Sequence, residues 1–346
     1  MQTRRLGRLR QVLACVTILL AGAVAGCTGS SPAPRGTGWG AAAPLDHSTA
    51  SEVITSVSCP SARSCMAVLG SGYAASYSGT NWSQPARMPA AAALGQPDSV
   101  SCPSASFCLA VDAQDSSAFR FNGSTWSSAP AISDPAPGGL PGMASVSCPS
   151  PGFCVAVDNG SSAVTFDGTS WSPATAIDPG NQLSTVSCPS PSFCAAVDYG
   201  PNAVTFNGTS WSKPAAIDPG SHLQAVSCAS ASFCVALDRR GKAFTFNGST
   251  WSAPVTALPN GLTMGEGGIS WPVVSCPSSD FCAAVDGADG NVATFDGSTW
   301  AAPVNIDAKA AKSVNESVLV FLMSVSCHSA TFCAAGDTTG NAFVRS

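Results

Sequence analysis

Fourteen of the sixteen cysteines in this 346-residue chain fall into pairs with five residues between partners. The pairs are Cys59/Cys65, Cys102/Cys108, Cys148/Cys154, Cys188/Cys194, Cys228/Cys234, Cys276/Cys282 and Cys327/Cys333. Regular thiols of this kind can bridge, bind zinc or cycle between redox states. Zinc needs four converging ligands, whereas each pair supplies two and belongs to a separate stretch of chain. Residues flanking a short turn in an antiparallel hairpin have Cα atoms about 4.5 to 5.5 Å apart, a separation a disulfide spans. Seven within-hairpin disulfides are therefore expected, with metal or redox use as the alternatives. On the chain-entropy model so short a loop gains about 2 kcal/mol per bridge.

The carboxylates repeat in step with the thiols. Asp112, Asp158, Asp198, Asp238, Asp286 and Asp337 each stand four residues after the second cysteine of a pair, and only Leu69 breaks the series. Aspartate opening a turn caps it through its own backbone N–H groups; a ring of such groups could also meet calcium or a ligand. Other candidates for ligand contact are Glu266 and Trp271 in one long connector, Tyr199 beside Asp198, and the adjacent cations Arg239 and Arg240 beside Asp238. An exposed aromatic can stack on a sugar or anchor a partner, or it can plug its loop against the core. His47, His222 and His328 are isolated, with no nucleophile elbow, phosphate-cradling loop or zinc motif nearby. No catalytic residue, metal site or cofactor is expected.

The elements that position these residues come from a repeat of 40 to 51 residues, cleanest from Leu183 to Asp218. Such a period indicates a propeller blade. One repeat reads as four strands, TVSC, FCAAVD, NAVTFNG and SWSKPAAI, separated by Pro-Ser, Asp-Tyr-Gly-Pro and Asn-Gly-Thr turn signals. Val, Phe, Ala and Cys fill them with little polar alternation, as expected when both sheet faces are covered. The expectation is an all-β fold: one seven-bladed β-propeller of four-stranded blades over residues 39–346. The seventh repeat stops at Ser346 without a fourth strand, while Trp39 to Leu45 matches the tryptophan strands beginning at residues 82, 126, 171, 211, 251 and 300. The N-terminal strand should complete the last blade and remove two open sheet edges.

From first cysteine to the following tryptophan the spacing is 23 or 24 residues, whereas from tryptophan to the next first cysteine it runs from 17 to 27. Variation is thus confined to the connector between blades, which alternating strand directions put on the same face as the aspartate turns. A rigid frame presenting variable loops is how binding surfaces are commonly built.

Ahead of the repeats, Arg4, Arg5, Arg8 and Arg10 precede an apolar run from Val12 to Gly26, the order of a signal peptide over residues 1–26. Val24-Ala25-Gly26-Cys27 resembles the lipobox of bacterial lipoproteins. That resemblance implies a diacylglycerol on Cys27, a membrane anchor without a transmembrane helix, and an extracytoplasmic location at the outer leaflet of the cell membrane. Residues 27–38, rich in Gly, Ser, Pro and Thr, read as a flexible tether. Processing would leave 11 basic and 20 acidic side chains, a net charge of −9; with no basic stripe, nucleic-acid binding is not expected. Only 10% of residues are charged, against roughly 25% in ordinary domains, so the surface is polar yet nearly uncharged.

The turn Thr165-Phe166-Asp167-Gly168-Thr169-Ser170-Trp171, and its counterpart from Thr294 to Trp300, resembles the Asp-box of bacterial sialidases and related propellers, with one residue fewer between Asp and Gly. Asn122, Asn207 and Asn247 replace the aspartate in other repeats. The whole repeat, from Trp39 to Ser346, is similar to those of secreted, cysteine-paired repeat proteins of actinobacteria. Asp-boxes are structural turns, so the resemblance implies a propeller and not sialidase chemistry. The reading that follows is a surface-tethered, non-catalytic propeller binding a protein or glycan; the alternative is a sialidase-like glycoside hydrolase, whose arginine cluster and tyrosine–glutamate pair do not align with Tyr73, Tyr77, Tyr199, Glu52, Glu266 and Glu316.

Overall fold

The computed structural model describes residues 38–45, 52–89, 97–114, 116–132, 142–259, 271–287, 290–308 and 320–346. Among these there is no helix, and the strands form seven four-stranded antiparallel sheets arranged in a ring, a β-propeller. Numbered in chain order by their inner strands, the blades run from Ile54–Ser61 in blade 1 to Leu322–Ser329 in blade 7, and blade 4 shows the pattern. Its inner strand is Leu183–Ser190, followed by Phe193–Asp198, Asn202–Phe206 and the short outer strand Ala215–Ala216. The expected first turn lies elsewhere. The Pro-Ser after the first cysteine belongs to the inner strand, and the chain reverses at the next two residues, so that Ser190 pairs with Phe193 across a local register shift. The tryptophan segment is also less regular than expected. Trp211 makes an isolated bridge to Phe206, and after Pro214 only two residues pair with the third strand.

All seven cysteine pairs are disulfide-bonded, with Cα–Cα distances of 3.9 to 4.1 Å. These are closer than the expected separation because the partners stand directly opposite one another beside the hairpin turn, as in the pairing of Cys228 with Cys234. The bridges also lie deeper than residues flanking a surface turn are expected to. The second cysteines, Cys65, Cys108, Cys154, Cys194, Cys234, Cys282 and Cys333, are at most 2% exposed, and their partners 5 to 8%. The reason is that each second cysteine stands on the second strand of its blade, which has a strand on either side and a neighbouring blade packed on its face. These sulfurs are largely core side chains, and their pairing is the one expected from the sequence.

The Asn-Gly or Asp-Gly turn on the same face is tied by its first residue: Asp167 Oδ1 accepts the N–H groups of Thr169 and Ser170 at 2.8 and 2.7 Å. Asn207 Oδ1 does the same for Thr209 and Ser210 at 3.0 and 2.9 Å. Both aspartate and asparagine offer the one carbonyl-type oxygen this turn needs.

Neighbouring blades are joined by a device not read from the sequence. Every inner strand carries Val-Ser-Cys, and the serine hydroxyl accepts the N–H of the first cysteine in the next blade. Seven such bonds, from Ser58 to Cys102 onward and from Ser326 back to Cys59, close the ring at 2.9 to 3.0 Å. Two residues earlier a second circle of Ser or Thr acceptors reaches the valine N–H of the next blade, from Ser56, Ser99, Ser145, Thr185 and Ser324. Ala225 and Val273 have no hydroxyl and interrupt it. Inner-strand N–H groups that face no strand partner are thereby satisfied.

The ring closes as expected. Ala43–Pro44 pairs with the strand Asn341–Arg345, Ala43 opposite Ala342. Gly40 N donates to Val344 O at 2.7 Å and Leu45 N to Gly340 O at 2.8 Å. Trp39 and Leu45 are buried at this seam.

Candidate functional site

The face bearing the connectors is built from the top of each inner strand and the turn between second and third strands. Five residues before the first cysteine stands a residue that packs into the blade: Ile54, Pro97, Met143, Leu183, Leu223 and Leu322 are all buried. Blade 6 has Trp271 at that position, and there the side chain is 38% exposed. Pro272 follows. It has no N–H for the ladder, and the inner strand of this blade begins only at Val273, two residues late. The strand top has peeled away and turned its tryptophan outward.

Trp271 then reaches across to blade 4. Its indole meets the Tyr199 ring edge-on, with centroids 5.9 Å apart. His222 fills the space towards blade 5, its Nδ1 hydrogen-bonded to the Tyr199 carbonyl, while Arg239 N donates to the His222 carbonyl at 2.9 Å. Arg240 extends its guanidinium to Gly220 O at 2.7 Å. The sequence candidates Tyr199, Arg239, Arg240 and Trp271 thus fall on blades 4 to 6, and His222, which the sequence showed only as an isolated histidine, links the turns of Tyr199 and Arg239. Glu266 lies outside the described residues.

The aspartates sit beneath this surface. Asp112, Asp158, Asp198, Asp238, Asp286 and Asp337 are all buried. Asp198 Oδ1 accepts N–H groups from Gly200 and Asn202 at 3.0 and 2.7 Å, and Asp238 Oδ1 those of Arg240 and Lys242 at 2.9 and 2.7 Å. Asp158 and Asp337 repeat the arrangement. These carboxylates cap their own turns, which sets the backbone that carries Tyr199 and Arg239.

Two of them also meet a second carboxyl from the incoming connector. Asn202 Nδ2 donates to Asp198 Oδ2 at 3.0 Å and to Asp178 Oδ2 at 3.3 Å, drawing the two acids together. Burial, reinforced by Asp178, pushes the Asp198 carboxyl up to about 6. In the next blade burial and the charge of Asp238 raise Asp218, with Arg240 opposing them. Among the described residues no group of three or more His, Cys, Asp or Glu side chains is placed to hold a metal ion.

No family model matches the chain, and no curated protein matches it in sequence. Solved structures do match in fold. The structure described as YCF48 bound to D1 peptide is 16% identical, covers 91% of this chain and 98% of its own, and superposes with a TM-score of 0.65. The WD40 β-propeller domain of Doa1 is 13% identical over 90% of this chain and 97% of its own, with a TM-score of 0.64. The structure of U3-55K is 9% identical over 88% and 97%, with a TM-score of 0.67. At such identities the likeness is one of architecture: the chain is similar to these propellers over nearly its full length.

Proposed function

We propose that this propeller is a non-catalytic recognition module that binds a protein partner through the patch over blades 4 to 6. The observation that carries the reading is Trp271, an exposed indole at a position where the six other blades bury an aliphatic or proline side chain. An exposed tryptophan paired with the half-buried Tyr199 and near two arginines, on a chain with a formal net charge of −5, suits an extended peptide segment that offers an apolar side chain to Trp271 and Tyr199 and a carboxylate to Arg239 or Arg240. That one neighbour in fold was solved with a peptide bound agrees with this use of the architecture. The lipobox at Cys27 would hold the module at the outer leaflet of the cell membrane, and the Asp-box-like turns serve it as structural corners. A sialidase-like activity is disfavoured because Arg87, Arg120 and Arg345 lie on third or fourth strands, away from the inner strands of the ring.

The test is binding of the soluble fragment from Trp39 to Ser346 to peptide and glycan arrays, with fluorogenic sialosides assayed alongside. Saturable peptide binding should weaken by roughly thirtyfold in Trp271→Ala, the loss of an anchor worth about 2 kcal/mol, with unchanged circular dichroism. Binding confined to glycans, or peptide binding indifferent to Trp271, would refute the site; sialoside turnover would refute the class.

A further inference from the structure

The opposite face carries a second circle of contacts, and it has one gap. The residue before the second cysteine is phenylalanine in six blades, and its ring lies against the end of the third strand of the next blade. Phe153 stacks on Phe206, Phe193 on Phe246 and Phe233 on Phe295, with centroids 5.9 to 6.4 Å apart. Phe332 meets Tyr77 at 6.0 Å, and Phe281 takes the Arg345 guanidinium over its ring at 5.0 Å. Phe107 shares a cluster with Phe166. Blade 1 alone has serine, Ser64, opposite Phe121 of blade 2.

A cavity of about 190 Å³ lies where the seventh phenyl ring would be. Phe121, Met66 and the two neighbouring disulfides wall it, and the serines Ser64 and Ser76 are among its lining residues. Exposed Ala105 and Gly123 at its edge leave it open to the surface. Its size compares with apolar cavities of about 150 Å³ that accept benzene. The chain has no ring of its own to fill it: all its Phe, Tyr and Trp residues are among those described, and the segments outside contain none.

We propose that the Ser64 slot between blades 1 and 2 is a binding site for a phenylalanine side chain presented by another polypeptide. The partner's ring takes the position that Phe193 and its counterparts hold in the other blades, with Phe121 as its aromatic wall. The lining serines serve the peptide groups on either side of the ring, which a bare hydrocarbon would leave unused. This site is independent of the Trp271 patch, which lies on the other face.

N-acetyl-L-phenylalaninamide is the probe, titrated into the isotope-labelled fragment from Trp39 to Ser346 and followed by NMR. Saturable shifts should centre on Ser64, the Met66 methyl and Phe121, and N-acetyl-L-alaninamide should leave them in place. Ser64→Phe restores the missing ring in cis; it should raise the thermal midpoint by a few degrees and weaken the probe at least tenfold, whereas Trp271→Ala should bind it unchanged. Should Ser64→Phe not fold, Ser64→Leu fills the same space and carries the same expectation for the probe. Shifts that do not saturate, that persist in the filled variant, or that depend on Trp271 would overturn the proposal.

Discussion

The two faces of the ring use the same residue, aspartate, in turns of similar length, with opposite electrostatic outcomes. On the cysteine face the Thr169 hydroxyl, with N–H groups of the same turn, holds the solvent-facing Asp167 well below the usual carboxylate range. Asp296 is lowered to about 2, chiefly by the Thr299 N–H and the Ser298 hydroxyl. On the connector face Asp198 accepts hydrogen bonds too, yet burial and the connector's Asp178 raise it, and burial and the turn's Asp238 raise the connector acid Asp218. A turn whose donors all come from within four residues behaves alike wherever it recurs. A turn pressed against a connector takes its properties from that connector, and connectors are where the blades differ. One face is the frame; the other is free to vary.

If the cysteine face is the frame, its removal should cost most. Replacing Cys188 and Cys194 together by alanine should lower stability by about 2 kcal/mol, read as a fall in the urea midpoint at unchanged slope. A smaller loss would mean that the hairpin is held by its turn and strand pairing alone. The serine circle comes next. Ser187→Ala strips the acceptor from the buried Cys228 N–H and should cost about 1 to 2 kcal/mol. Thr185→Val, in the circle that Ala225 and Val273 already interrupt, should cost less, because the fold tolerates that gap at two of its seven junctions. Equal losses would show that the two circles do not differ in importance.

How much of this was legible beforehand depends on how far apart the interacting residues are in the chain. Cysteine pairs and aspartate caps act within six residues, so a spacing count found them. The depth of the second cysteines, Cys65 and Cys154 among them, was not in that count, because it comes from blades packing face to face. The closing strand at Trp39 was visible because it copies a repeated motif. The serine circle was written in every Val-Ser-Cys, but its acceptors and donors are 41 to 52 residues apart along most of the ring and 267 where it closes, so no local rule pointed to it. Trp271 was noticed as a loop aromatic, whereas the informative fact is its replacement of a buried residue five before Cys276. Ser64 stands out in the same way only once the blades are aligned and the ring that its six equivalents share is known. His222 looked isolated because its partners, Tyr199 and Arg239, belong to two other turns.

The comparison between faces can be sharpened by pH. Asp198 ordinarily titrates near 3.8 and does so at about 6 when folded, so the folded state holds its proton more tightly than the unfolded chain. Its contribution is therefore present below the ordinary value and is lost as pH rises from about 4 to about 6. Asp167 shifts the other way: its contribution is present above the ordinary value and is lost as pH falls below it. Asp198→Asn should flatten the decline in urea midpoint between about pH 4 and 6. Asp167→Asn should leave that window untouched and remove only the acid-side loss, since Asn207 already makes the same turn in the next blade. Identical pH profiles for the two variants would mean that the connector acids do not reach the aspartate turns in solution, and the two faces would then differ in sequence alone.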